Sequence, residues 1–263
     1  MATIEAENLT QLAVVRRLEA AGFRAWPASQ TEFDGTWAVR LTAGFPAKRL
    51  NSVNPLDRSD HLDIPARVER AAARFKSFGR PFLFRQSPLA PPQLVQHLDD
   101  LGWSSFGESI VFSADLAGLD LTDCDPDVVS ELTPIGDVHR YIEASLVVHE
   151  RPAELREGLT EILELIRPPS ALFLLEEGAR PVAVALAIRD NDLAGVLDVA
   201  VSADRRQRGI GRGIVTAALR HTRAMGARTA WLQVEADNAA GLAMYRKLGF
   251  VEAYRYVYRA PPA

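Results

Sequence analysis

Residues 199–211 read Val199-Ala200-Val201-Ser202-Ala203-Asp204-Arg205-Arg206-Gln207-Arg208-Gly209-Ile210-Gly211. An apolar, strand-like run (Gly195–Val201) gives way here to a basic turn that carries glycines. From Arg212 to Met225 the apolar residues Ile214, Val215, Ala218 and Leu219 recur at helical spacing, so the turn opens a helix. A helix start presents unpaired backbone N–H groups and the positive end of the helix dipole, which suits an anion. Glycine lets the main chain approach that anion without a Cβ in the way. Arginines add charge-assisted hydrogen bonds to phosphate oxygens. The stretch therefore predicts a ligand with a phosphate or pyrophosphate. Neither of two familiar phosphate loops fits: no Gly-Lys-Ser/Thr follows, and in Gly209-Ile210-Gly211-Arg212-Gly213 the third glycine comes too early for a dinucleotide fingerprint. A glycine-rich turn with a solvated arginine cluster is the competing reading of the loop by itself.

Outward from the loop, strands and helices alternate. Ala171–Glu176 and Pro181–Arg189 are apolar runs around a turn at Glu177–Arg180, which predicts a hairpin. Downstream, Gly226 ends the helix and Thr229–Glu235 reads as a strand. Asn238 caps a short helix, Ala239–Leu248, that Gly249 terminates, and Phe250–Arg259 is the last strand. Pro134–Ile166 reads as two helices divided near Arg151-Pro152. This alternation indicates a layered α/β domain from about residue 126 onward.

The N-terminal part has a similar grammar. Leu9–Ala21, Ile64–Phe78 and Pro92–Leu101 read as helices, and Trp37–Thr42, Lys48–Val53, Pro81–Gln86 and Ser105–Ala114 as strands. Gly79 and Gly102 are 23 residues apart, as are Gly226 and Gly249. A shift of 147 places Phe84 on Trp231, Gln86 on Gln233, Leu101 on Leu248 and Trp103 on Phe250, the pattern of an internal duplication. The copies diverge at the loop, because 206–211 falls on Ser59–Ile64, which has no glycine, and Tyr245 falls on Leu98. Asp115–Pro126 lacks periodicity and is the linker candidate.

Composition sets the bounds. At 263 residues the chain suits one large domain or two of about 130. Hydrophobic residues at 48% and charged residues at 24% describe an ordinary globular protein and exclude disorder or coiled coil. The longest uncharged apolar run, Pro181–Ile188, falls far short of the ~20 residues of a membrane span. A net charge of −4 argues against a general nucleic-acid binder. The single cysteine, Cys124, excludes an internal disulfide and a cysteine-cluster zinc site, and it lies in the linker, a poor place for a nucleophile. No metal site is expected. The first ten residues show no secretory signal, so a reduced, cytoplasmic protein is the expectation.

The 199–211 run resembles the acyl-CoA-binding motif of the GCN5-related N-acetyltransferase (GNAT) family, Arg/Gln-x-x-Gly-x-Gly/Ala at a strand-to-helix turn. Asn238-Ala239-Ala240-Gly241-Leu242-Ala243-Met244-Tyr245-Arg246-Lys247-Leu248-Gly249-Phe250 is similar to that family's second signature, Asn-x-x-Ala-x-x-x-Tyr-x-x-x-Gly-Phe, with Gly241 where alanine is usual. Together the two motifs cover about residues 130–260. The resemblance implies that acetyl-CoA enters a gap beside the strand before the loop. The Val199, Ala200 and Val201 main chain would bond the pantetheine and polarise the thioester. Arg206, Gln207, Arg208, Gly209, Ile210, Gly211 and Arg212 would hold the pyrophosphate, and Asn238 would bond the cofactor arm or serve as a plain cap. Tyr245 would be the general acid for the departing thiolate, since a phenol of pKa ~10 stays protonated where a thiolate of pKa ~8.5 needs a proton.

For the base, Glu235 is the first candidate and Asp198 the second. Glu235 shares strand parity with Gln233, where the branch acting on ribosomal-protein N-termini commonly has glutamate. His149 is a weaker substrate-site candidate, and His139 and His221 have no metal-ligand spacing. Tyr254, Tyr256 and Tyr258 alternate at strand period and would line an acceptor pocket or simply pack. The basic-polar Lys48–Val53 segment has no assignment.

The sequence thus predicts a mixed α/β fold: a mostly antiparallel GNAT-type sheet flanked by helices, in two tandem domains. A degenerate copy would occupy 1–117, a linker 118–126 and a catalytic copy 127–263. The implied activity is direct acetyl transfer from acetyl-CoA to a small-molecule or peptide amine, with no nucleic-acid or membrane partner. An acyl-CoA sensor without turnover, or an acyltransferase with a longer acyl donor, are the alternatives.

Overall fold

The protein is described by a computed structural model over residues 2–121 and 132–262, with side chains from residue 10 onward. Cys124 and the greater part of the expected linker lie outside the described residues. Two compact units are present. The first comprises Met1–Val111, Glu235–Asp237 and Glu252–Ala263; the second comprises Phe112–Val234 and Asn238–Val251.

The first unit contains α1 (Ala2–Ala25), β1 (Gln30–Asp34), β2 (Trp37–Leu41), β3 (Ser52–Pro55), α2 (Ile64–Phe78), β4 (Phe84–Gln86), α3 (Pro92–Asp100) and β5 (Ser104–Asp115, to Val111). Strands β1, β2 and β3 are antiparallel, and β3 meets β4 in parallel at Val53 and Phe84. Trp37, Val53, Val68, Phe75, Phe84, Leu94, Leu98 and Trp103 form its core. The helical stripe of α2 supplies Ile64, Val68, Ala71 and Phe75, each buried at the i, i+4, i+7, i+11 spacing of one face.

The second unit contains α4 (Val138–Val148), α5 (Arg156–Leu165), β6 (Ser170–Glu177), β7 (Arg180–Asp190), β8 (Leu193–Val201), α6 (Ile210–Ala224), β9 (Thr229–Glu235, to Val234) and α7 (Ala239–Leu248). Strands β6, β7 and β8 are antiparallel, and β8 meets β9 in parallel. Ile214, Val215, Ala218 and Leu219 of α6 are fully buried. Burial of each large aliphatic side chain is worth roughly 1.5–3 kcal/mol, and this stripe fixes the helix whose first turn follows the basic loop.

Both units run through three antiparallel strands, a helix, a parallel strand and a second helix. Gly79, Gly102, Gly226 and Gly249, the four glycines of the repeat, all have positive φ and all follow helices. The layout is that of a tandem fold.

Several elements differ from the sequence reading. The first helix is longer, β1 has no counterpart in it, and Lys48–Leu50 is a 3-10 turn that leads into β3. The larger difference concerns β10 (Val251–Ala260), which a linear division at residue 117 puts in the C-terminal domain. From Glu252 on it belongs to the first unit, where Val257, Tyr258 and Arg259 pair antiparallel with Gln86, Arg85 and Phe84 of β4. There Arg259 also bonds Gln86 at 2.9 Å and the Trp103 carbonyl at 3.1 Å.

Candidate active site

Parallel pairing of β8 with β9 is confined to Leu193–Gly195 against Thr229–Trp231. Trp231 is buried there. A Cβ on Gly195 would stand 2.8 Å from its Cζ2 and 2.9 Å from its Cε2, so the indole wedges against bare backbone at the last paired residue. Beyond that point β8 runs on to Val201 without β9 as a partner, and Asp198, Val199, Ala200 and Val201 are each partly exposed. Unpaired main-chain N–H and C=O groups at the mouth of two parting parallel strands suit an extended amide-bearing ligand.

A bulge fixes this end of β8. Leu186 pairs with Leu197 and Val184 with Ala200, so two β8 residues oppose one of β7. Asp198 sits in the bulge at φ 49°. Its carboxylate is almost fully buried and accepts from Ser145 Oγ at 2.7 Å, Tyr141 Oη at 3.0 Å and Arg151 Nη1 at 2.9 Å, with His149 Nε2 at 3.0 Å. Burial alone would raise its pKa. The hydrogen bond and charge of His149, then Arg151 and Ser145, overrule it and hold the group well below the usual carboxylate range. A carboxylate so committed to its ionised form is a poor proton acceptor. These contacts anchor the bulge to α4, and His149 serves that anchor.

The loop after β8 is open. Arg206, Gln207, Arg208 and Gly209 are exposed, Ile210 is buried, and Gly211 and Arg212 are half-buried in the first turn of α6. Gly209 caps α6 at φ 78°, ψ −10°, with no side chain on the cap amides and no acidic residue in the first turn. A Cβ at Gly209 would meet nothing within 4 Å. Gln207 also holds positive φ, at 63°. That conformation costs a non-glycine residue roughly 1–2 kcal/mol, and left-handed residues on both sides of Arg208 are the kind of turn from which anion nests are built. Arg205 is spent on Glu177 and Asp204, each at 2.8 Å, whereas Arg208 has no ion pair among the described residues.

Helix α7 converges on the same place. The Cβ position of Gly211 lies 3.5 Å from both Val201 Cγ2 and Met244 Sδ, so the end of β8, the start of α6 and the middle of α7 meet there. Asn238 caps α7, its Oδ1 accepting from Gly241 N at 2.9 Å. A Cβ on Gly241 would come within 2.9–3.1 Å of the Asn238 amide, so a side chain there would displace that cap. Tyr245, the next residue after Met244, is buried between Phe112 and Phe250, at 6.5 and 6.0 Å between ring centroids. Burial pushes its phenol up to about 12, and its hydroxyl has no hydrogen-bond partner among the described residues.

The second unit thus brings together Val199, Ala200, Val201, the 206–212 loop, Asn238 and the helix that carries Tyr245. Glu235, exposed at the end of β9, is counted with the first unit, as are Tyr254, Tyr256 and Tyr258. Those tyrosines are buried in the first unit rather than lining a pocket of the second. No helix among the described residues is long and apolar enough to cross a membrane.

A layered α/β sheet with parted parallel strands and an open, basic helix entrance defines a GNAT-type acyltransferase. The family model described as "Probable histone acetyltransferase Rv0428c C-terminal" matches residues 12–259, and the chain belongs to that family. It is 22% identical over 245 residues to the uncharacterized N-acetyltransferase YobR of Bacillus subtilis (strain 168), covering 93% of this chain and 98% of that one. Among solved structures it resembles a GCN5-related N-acetyltransferase from Kribbella flavida (TM-score 0.69, 18% identity, 94% and 95% of the two chains). It also resembles a tandem GNAT protein from the clavulanic acid biosynthesis pathway (TM-score 0.63, 15% identity, 93% and 88%). The chain is an N-acyltransferase of tandem GNAT architecture.

Proposed function

We propose that the second unit transfers acetyl from acetyl-CoA to a primary amine in one direct step. The observation that carries this reading is the open helix entrance at Gly209, set where β8 has parted from β9. In this reading the Gly209, Ile210 and Gly211 amides, with Arg206, Gln207, Arg208 and Arg212, hold the pyrophosphate. The main chain of Val199–Val201 bonds the pantetheine and polarises the thioester carbonyl, and Asn238 contacts the arm near sulfur. The fit is chemical as well as spatial: an anion nest without a resident carboxylate continues into a strand edge without a partner.

Tyr245 supports departure of the thiolate. With its pKa near 12 it stays protonated at any working pH, against about 8.5 for a free thiol. Complete proton transfer is therefore uphill, and a hydrogen bond to the developing negative charge, strengthened by burial, is the larger part of what it offers. Asp198, committed to its hydrogen bonds and ion pairs, takes no part in proton transfer in this reading.

Release of free CoA thiol in the presence of an amine panel tests the reading. Tyr245→Phe should lower kcat about 100-fold, the lower end of general-acid contributions, and leave KM for acetyl-CoA nearly unchanged. Unchanged kcat in that variant, or tight acetyl-CoA binding with no release for any amine, would favour a sensor over an enzyme.

A further inference from the structure

Two features of the sequence take no part in the transfer chemistry: the basic Lys48–Val53 segment and the tyrosine ladder of β10. The fold places them side by side in the first unit. Arg85 of β4 lies with its Cζ 3.6 Å over the Tyr256 ring, and Lys48 Nζ stands 5.2 Å above the Tyr258 ring and 5.4 Å from that of Phe106. Gly107 makes room for this, since a Cβ there would fall 3.1 Å from Lys48 Nζ and 3.3 Å from Tyr258 Cδ2. Arg40 of β2 is fully buried next to them, and Lys48 and Arg49 are half-buried in the 3-10 turn before β3.

The charges in this cluster do not balance. Glu19 is its carboxylate, and both oxygens are taken: Oε1 accepts from Tyr254 Oη at 2.5 Å and Arg85 Nη2 at 2.9 Å, and Oε2 accepts from Arg85 Nη1. Its hydrogen bonds among the cations go to Arg85. Among the described residues Arg40 donates to main-chain carbonyls, of Trp26 at 2.6 Å and Arg49 at 3.0 Å, which carry no net charge. Arg49 has no side-chain hydrogen bond or ion pair among the described residues, and Lys48 has only the two rings. Glu19, already shared by Arg85 and Tyr254, is also the charge that offsets Arg40, which leaves Lys48 and Arg49 with no carboxylate among the described residues, an arrangement that low dielectric makes expensive.

The titration of the neighbours reflects the same field. Burial, then the charges of Arg85 and Arg49, bring Arg40 down to about 9. Tyr256 is lowered although burial, its largest influence, acts to raise it; Arg49 and Arg85 outweigh the burial, helped by a hydrogen bond with Ser109.

We propose that the first unit binds a small oxyanion, a carboxylate or phosphate group, between Lys48 and Arg49 at the Tyr256–Tyr258 edge of β10. This site is independent of the acetyl-transfer reading, whose loop lies in the other unit. It also gives the unit without a glycine loop a binding role of its own.

Calorimetric titration of the full chain with inorganic phosphate and, separately, with succinate tests it, at constant ionic strength and with CoA saturating. Saturable binding of at least one anion is expected, and its identity separates a phosphate from a carboxylate site. A Lys48→Gln/Arg49→Gln double variant should weaken that binding at least tenfold, while Arg208→Gln leaves it unchanged. With no anion present the double variant should melt at the same temperature as the parent or higher, because repulsion has been removed. Absence of saturable binding for both anions would overturn the proposal. So would affinity that survives the double substitution or falls instead with Arg208→Gln, or an anion-free double variant that melts several degrees lower.

Discussion

Gly209 and Asp63 each hold a left-handed conformation immediately before a helix, at φ 78° and 51°, in matching places of the two units. Their surroundings are opposite. Before α6 the residues are basic, the first turn holds no acidic residue and the space around Gly209 is open. Before α2 the sequence supplies Asp60 and Asp63, and Pro65 removes one of the first amides. Asp60 is also claimed by the unit's own groups: it accepts from Thr36 N and Thr36 Oγ1, both at 2.7 Å, and from Arg67 at 2.7 and 2.9 Å. One backbone plan therefore carries an open, basic helix start in one unit and, in the other, an acidic one with a proline in its first turn. The difference lies in a few side chains, and the fold tolerates both.

The comparison can be broken by exchanging those side chains. The largest effect is expected from Gly209→Asp, which puts a carboxylate where the pyrophosphate would sit. Aspartate at that positive φ costs roughly 1–2 kcal/mol of stability, while like-charge repulsion should raise Kd for acetyl-CoA roughly 100-fold. A variant that binds normally would show that the loop is not the pyrophosphate site.

A smaller effect is expected in the opposite direction. Asp63→Gly relieves a left-handed non-glycine residue with no capping bond, and should add about 1 kcal/mol of stability in urea unfolding. It should create no acetyl-CoA binding, because Asp60 and Pro65 remain. Acquired binding would show that the two entrances differ by less than the structure indicates.

The smallest effect concerns acid. The Arg67 hydrogen bond, opposed by partial burial and joined by Thr36, brings Asp60 down to about 2 from an ordinary value near 3.9. A group with a depressed folded pKa contributes stability that is complete above the unfolded value and is lost as pH falls through the folded one. Asp60→Asn should therefore flatten the stability profile between about pH 4 and 2. The difference at neutral pH should be under about 1 kcal/mol, given solvent screening. An unchanged acid limb would remove Asp60 from this role.

Much of this was legible in the sequence for a physical reason. The loop, both C-terminal helices and their caps are local, and Gly209, Asn238 and Gly249 mark them by backbone conformation alone. The glycine spacing that suggested duplication is likewise a record of helix ends. What escaped was non-local or lacked pattern. Gln30–Asp34 is almost wholly exposed and carries one apolar residue, so nothing in it signals a strand. The pairing of β10 with β4 joins residues about 170 apart, and no period in either segment names its partner. Asp198 looked like a free carboxylate because Tyr141, Ser145, His149 and Arg151 reach it from about 50 residues upstream. The Lys48–Val53 segment, unassignable by itself, made sense only beside the tyrosines of β10.

The central claim is that main-chain amides at the Gly209 helix entrance bind the diphosphate of acetyl-CoA. Titrating acetyl-CoA calorimetrically into the folded parent and into Gly209→Asp tests it most directly. The account predicts saturable heat for the parent and an affinity about 100-fold weaker for the variant, with both proteins folded at the titration temperature. No heat from the folded parent, or equal affinity in the two proteins, would contradict it.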